Sequence, residues 1–179
     1  MSAAISFCPL AREHFPLLQT WLNTPHVATW WNDPSDLASL EAHYGPCIDR
    51  TDPTEVFLIE RDRRPIGWIQ WYRWSDNPDH AQQLSAGPTT AGIDLAIGVL
   101  ASTGVGLGPA IIRQFVTEVV FKDPAITGVV ADPQEVNLRS LRAFEKAGFT
   151  ETHAVKLSTE NFNRIVVRLE RIPNDPANS

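Results

Sequence analysis

Apolar side chains recur at helical spacing from residue 12 to 22, where Phe15, Leu18, Trp21 and Leu22 share a face and Asn23-Thr24-Pro25 ends the run. A second short helix is predicted from Pro34 to Tyr44, capped by Asp33, with Leu37 and Leu40 turned inward. Glu55–Glu60 and Pro65–Trp74 read as two strands joined by the charged turn Arg61-Asp62-Arg63-Arg64. Ser75 to Thr90 is rich in Asp, Asn, Pro and Gly and reads as a polar loop. Ala91–Val99 is the next strand, and Leu107, Ile111, Phe115 and Val119 mark a helix from about Leu107 to Phe121. Ile126–Ala131 is a buried strand. Asn137 caps a helix that runs to Ala147, where Gly148 suits a left-handed stop. Two closing strands are expected near Thr150–Leu157 and Arg164–Leu169. The order of elements gives a mixed α+β fold, a sheet with helices packed on it, not a regular doubly wound one.

With 179 residues the chain is expected to form one domain over residues 1–172, followed by a frayed tail at 173–179. No apolar run approaches the roughly 18–20 residues needed to span a bilayer. Met1–Leu10 lacks the basic region and small-residue cleavage site of a secretory signal, so a cytoplasmic location is expected. The two cysteines, Cys8 and Cys47, have no CxxC spacing, and the five histidines are scattered, so neither a disulfide framework nor a metal site is expected. A net charge of -6 speaks against nucleic acid or an anionic membrane as partner and favours a cationic small molecule.

The most informative stretch is Thr103-Gly104-Val105-Gly106-Leu107-Gly108, between a strand and a helix. Glycines at alternate positions let a backbone approach a ligand closely, and the helix start adds the positive end of its dipole, which suits a pyrophosphate. Such turns also serve close packing alone. The turn is not a Walker loop, because Pro109 and Ala110 follow Gly108 where GK[ST] is required. Nor is it a dinucleotide fingerprint, since the spacing is GxGxG and lies past the middle of the chain.

Downstream runs Asn137-Leu138-Arg139-Ser140-Leu141-Arg142-Ala143-Phe144-Glu145-Lys146-Ala147-Gly148-Phe149. The pairing of this helix with the glycine turn resembles the GCN5-related N-acetyltransferase superfamily over about residues 5–170. That resemblance implies the GNAT fold, a mostly antiparallel sheet in which two neighbouring strands splay apart to admit acetyl-CoA. It also implies direct acetyl transfer in a ternary complex. It assigns Ile97, Val99, Gly104, Val105, Gly106, Leu107, Gly108, Asn137 and Arg142 to the cofactor. Thr103 departs from the Gln or Arg usual there. Phe144 stands where many members carry a tyrosine that protonates the departing thiolate, so no tyrosine acid is assigned.

Within the superfamily, Trp21-Leu22-Asn23, His26, Trp30-Trp31, Pro65-Ile66-Gly67 with Gln70 and Tyr72, Gly92-Ile93-Asp94, Phe121-Lys122-Asp123-Pro124 and Asp132-Pro133 resemble the aminoglycoside 6'-N-acetyltransferases of the Ib type. By that resemblance Trp30, Trp31, Gln70, Tyr72, Asp94 and Asp132 line the substrate pocket. Leu84–Thr90 lacks the acidic, tryptophan-bearing character of the corresponding loop in those enzymes.

The chemistry can be reasoned separately. An amine arrives as an ammonium and must lose a proton before it attacks a thioester. Asp94 shares a strand face with Gly92, Ala96 and Gly98, small residues that leave room for a ligand, and it is the expected proton acceptor. Asp132 could bind a second ammonium or start an Asp-Pro turn. Trp30 and Trp31 could face a sugar or the core. Three rival readings stand beside the aminoglycoside one: a siderophore-pathway acyltransferase acting on a hydroxylysine-type amine, a non-catalytic acetyl-CoA-binding module, and an enzyme of protein N-terminal acetylation, which would need a peptide-sized groove. Either a monomer or a homodimer is compatible with the sequence.

Overall fold

The computed structural model describes residues 4–31 and 35–172. One seven-stranded sheet is built from β1 (Ile5–Pro9), β2 (Glu55–Arg61), β3 (Arg64–Arg73), β4 (Thr90–Ile97), β5 (Gly128–Ala131), β6 (Thr150–Val155) and β7 (Arg164–Glu170). Their spatial order is β1-β2-β3-β4-β5-β7-β6, and every neighbouring pair is antiparallel except β4 and β5. The helices are α1 (Phe15–Leu22), α2 (Pro25–Ala28), α3 (Leu37–Ile48), α4 (Pro78–Leu84), α5 (Leu107–Glu118) and α6 (Leu138–Ala147). Among the described residues no helix is long and apolar enough to cross a membrane.

Alternation along the central strands sends side chains into two cores. Ile69, Trp71 and Ile93 join Ile111, Phe115 and Phe144 beneath α5 and α6. Leu58, Trp68 and Ala96 point the other way, against Leu18, Trp21, Leu40 and Tyr44 of α1 and α3. The β2–β3 hairpin closes through Asp62 and Arg63, both at positive φ (51° and 64°), a two-residue turn at the centre of the expected charged turn, with Arg61 and Arg64 paired in the strands.

Four elements depart from the sequence reading, the first being α2, a four-residue helix directly after the predicted stop at Asn23-Thr24-Pro25. β1 was not predicted: it is five residues long, and Ser6 and Cys8 interrupt its apolar positions. It gains its order by pairing with β2, from Ile5 opposite Arg61 to Pro9 opposite Phe57. The predicted loop 75–90 contains α4, whose Ala81 and Leu84 are buried against Trp74, Val130 and Val166. Finally, α3 begins at Leu37, where the Asp36 carboxylate accepts from the Ser39 N–H at 2.9 Å. It continues beyond Tyr44 to Ile48. The expected cap Asp33 and start Pro34 lie outside the described residues, as does the expected tail at 173–179.

One feature of the sheet positions the site. β4 and β5 pair only at Thr90–Gly128 and Ala91–Val129. Beyond these residues β4 continues to Ile97 and β5 to Ala131 with no shared register, so the two strands diverge and open a cleft at their carboxyl ends.

Candidate active site

The cleft leads into the glycine turn. β4 ends with the N–H groups of Gly98 and Val99 both donating to the Ile66 carbonyl, at 2.8 and 3.1 Å. After one turn of 3-10 helix at Leu100–Ser102, Gly104 and Gly106 take φ of 71° and 82°, a region costly for any residue with a Cβ. Among the described residues no atom lies within 4 Å of where a Cβ at either position would stand, so packing within them does not demand glycine there. Gly104, Val105 and Gly106 are exposed, and no side chain caps α5. Its first N–H groups therefore have no side-chain acceptor, which leaves them available to an anionic pyrophosphate. Gly108 differs, since a Cβ there would come within 3.3 Å of Ala143 on α6. Arg142, next to Ala143 on α6, is exposed. The Asn137 side chain accepts from the Ser140 N–H at 3.1 Å and caps α6. Ile97 and Val99, half-buried, form the wall between turn and sheet.

On the face of the sheet that carries Trp68, Gln70 and Tyr72 stand over β4, with Gln70 opposite Asp94 and Tyr72 opposite Gly92. The Gln70 amide donates to Asp94 Oδ2 at 3.1 Å, and the Tyr72 hydroxyl also bonds the Asp94 carboxylate. These groups line a cavity of about 410 Å³ together with His43, Cys47, Asp52, Asn77 and His80. Burial pushes the Asp94 carboxyl up to about 6; the charge of Asp132 adds to this, while the hydrogen bonds from Gln70 and Tyr72 and the charge of Arg164 oppose it. Burial, then the charges of Asp94 and Asp132, hold the Tyr72 phenol well above its ordinary range, so at neutral pH it is a donor. Burial, then the charge of Asp52, raises the Cys47 thiol to about 11. Cys47 is thus a poor nucleophile at neutral pH.

The structure brings Gln70, Tyr72 and Asp94 together. Asp132, at the end of β5, is 7% exposed and lies behind His80, whose Nε2 bonds its Oδ2 at 3.1 Å. The two tryptophans diverge: Trp31 packs on Trp68 with ring centroids 5.0 Å apart, while Trp30 is 37% exposed. His26 ties their segment to the sheet through a 3.0 Å bond between its Nε2 and the Ile97 carbonyl. Phe144 is buried edge-on against Phe149. Sequence reasoning missed His43, Cys47, Asp52, Asn77 and His80. Those on α3 and its exit depend on that helix crossing the sheet. His80 had a local signal in Asn77-Pro78, a helix start with proline in its first turn.

The strand pair diverges at its carboxyl ends, a glycine turn feeds an uncapped helix, and a buried carboxylate stands on β4. The profile of the acetyltransferase (GNAT) domain matches residues 11–157, and the chain belongs to that family of N-acetyltransferases. Aminoglycoside N(6')-acetyltransferase type 1 of Klebsiella pneumoniae is 32% identical over 144 residues, 78% of this chain and 71% of that protein. A kanamycin resistance protein of Rhizobium radiobacter is 42% identical over 96 residues, 54% of this chain and 72% of that protein. Among solved structures, aminoglycoside acetyltransferase AAC(6')-Ib in complex with coenzyme A and kanamycin superposes with a TM-score of 0.78 at 26% identity, over 94% of this chain and 95% of that one.

Proposed function

We propose that the protein transfers the acetyl group of acetyl-CoA to the 6'-amino group of an aminoglycoside-like cationic substrate, and that this confers aminoglycoside resistance. The observation that carries the reading is the Asp94 carboxylate, bonded by Gln70 at 3.1 Å and lining a cavity on β4, one of the two diverging strands; burial pushes its carboxyl up to about 6. The similar proteins named above support the choice of acceptor.

Acetyl-CoA supplies an activated thioester carbonyl when bound. The N–H groups of Gly104–Gly108 and the start of α5 would hold its pyrophosphate, and Asn137, Arg142, Ile97 and Val99 are the further residues that would contact the cofactor. Asp94 attracts the acceptor ammonium, orients it and takes its proton. A carboxyl titrating at about 6 is ionised at neutral pH yet more basic than an ordinary aspartate. Gln70 and Tyr72 fix the carboxylate so that its free lone pairs face the cavity. The neutral amine would then attack the thioester carbonyl; as the carbon–sulfur bond breaks, CoA would leave as the thiolate and take up the second proton released by the new amide nitrogen. No side chain at position 144 protonates the departing sulfur, because Phe144 is closed in the core. The high value of Cys47, the thiol lining the cavity, favours direct transfer over an acetyl-cysteine intermediate.

The test is release of free CoA thiol from acetyl-CoA against kanamycin-type drugs, simple polyamines and hydroxylysine. Turnover on drugs with a 6'-amine, absent on a 6'-hydroxyl analogue and lost in Asp94→Ala, is the expected result. Turnover on hydroxylysine alone, or cofactor binding without turnover on any amine, overturns it.

A further inference from the structure

Asp132 and Asp94 lie on the two strands that flank the cleft, and a polycationic acceptor would be expected to use both carboxylates. Only Asp94 reaches the cavity. The Asp132 side chain is 7% exposed, and the protein's own cationic and donor groups already occupy it. His80 Nε2 stands 3.1 Å from its Oδ2, the Arg164 guanidinium 3.7 Å from the same oxygen, and Arg164 also donates to the Asp132 backbone carbonyl at 2.9 Å. Arg164 is itself fixed by a two-pronged pair with Glu160, both bonds 2.7 Å. His80 is 38% exposed, is steadied edge-on by Trp74 at 4.9 Å, and is the member of this cluster that lines the cavity.

We infer that His80 determines acceptor specificity by covering Asp132, so that the cavity reads one ammonium at Asp94 and a hydroxyl, not a second ammonium, at the His80 wall. An ionised carboxylate only accepts hydrogen bonds, so His80 Nε2 carries the proton that bonds Asp132. The wall offered to the acceptor is then an imidazole. Neutral, the ring carries no charge to set against an ammonium; protonated, it repels a second cation. In neither state does it attract an ammonium as a bare carboxylate would. The discrimination works by excluding contact with a charge that the fold otherwise holds ready.

This inference rests on the acetyl-transfer reading for its kinetic readout, and a binding readout separates the two. Two kanamycins that differ only in a hydroxyl or an amine on the sugar bearing the reactive amine serve as probes. For the intact enzyme the ratio of kcat/KM, amine form over hydroxyl form, is expected near or below one. His80→Ala uncovers Asp132 and raises that ratio at least tenfold, through a lower KM for the amine form. His80→Gln, whose amide can still donate to Asp132, keeps the ratio close to the intact enzyme's. Asp132→Asn added to His80→Ala removes the gain. An unchanged or lowered ratio in His80→Ala overturns the inference, and so does an equal gain in His80→Gln. If neither kanamycin is acetylated, the acceptor assignment fails by itself. The dissociation constants of the same two compounds, from tryptophan fluorescence, then decide: a His80→Ala shift of tenfold toward the amine form supports the role of His80, and its absence, or no binding at all, ends it.

Discussion

The ring of Tyr72 fills the space above Gly92: a Cβ at position 92 would stand 2.4 Å from the ring carbon Cε2 and 2.8 Å from the hydroxyl oxygen. The residue that positions the Asp94 carboxylate is therefore seated on a residue with no side chain, two places along the same strand.

Gly92→Ala displaces the tyrosine. Overpacking of this kind costs about 1–3 kcal/mol, and the hydroxyl loses its position on Asp94. The expected outcome is a lowered Tm with kcat/KM reduced by an order of magnitude or more, whereas Tyr72→Phe leaves Tm almost unchanged and still slows the reaction. Thermal denaturation and steady-state kinetics on the two variants check this.

The raised value of Asp94 gives a pH dependence of definite sign. Because the folded-state value of about 6 exceeds the ordinary 3.8, kcat/KM should rise with pH through about 6 as the base ionises. Stability runs the other way. The folded protein binds the Asp94 proton more tightly than the unfolded chain does, so this group's contribution is fully present below 3.8 and is lost as pH rises through about 6. Asp94→Asn, uncharged at every pH, should match the wild type in stability near pH 4. At pH 7 it should exceed it by on the order of 2 kcal/mol while having lost turnover. Urea titrations at the two pH values measure the difference.

At the glycine turn the expected effect falls on the cofactor. Gly104→Ala and Gly106→Ala each place a Cβ at positive φ, costing about 1 kcal/mol, in space that no atom of the described residues occupies. Both variants fold, and their Kd for acetyl-CoA by calorimetry rises tenfold or more. Gly108→Ala, which meets Ala143 at 3.3 Å, mainly lowers Tm.

How far the sequence made this visible depended on the range of the interactions. The strands β2 to β4 and the helices α5 and α6 carry their periodicity within a single run of residues, and Asn137 and Gly148 mark the ends of α6 with local chemistry. That Asp94 shares a face with Gly92 followed from alternation within β4, whereas its register opposite Gln70 and Tyr72 is a long-range pairing that only the structure supplied. β1 and α4 were not legible, because their few buried residues gain partners only from distant segments: β1 from β2, and α4 from Trp74, Val130 and Val166. The cover that His80 and Arg164 place on Asp132 was hidden for the same reason, since 52 and 32 residues separate them from it.

The last prediction concerns position 144. Replacing Phe144 by tyrosine would restore the residue that many relatives by sequence resemblance use as an acid, so a simple sequence argument predicts faster turnover. The surroundings of Phe144 argue against it. The side chain is 3% exposed, packs edge-on against Phe149 at 5.0 Å, and belongs to the core beneath α5 and α6. A hydroxyl placed there must either go unbonded, at a cost of about 1–3 kcal/mol, or drag α6 toward the cleft. Phe144→Tyr is therefore expected to lower Tm without raising kcat, and to leave the high-pH limb of the rate profile where it is in the wild type. A rise in kcat with a new ionisation on that limb would show instead that position 144 reaches the departing sulfur.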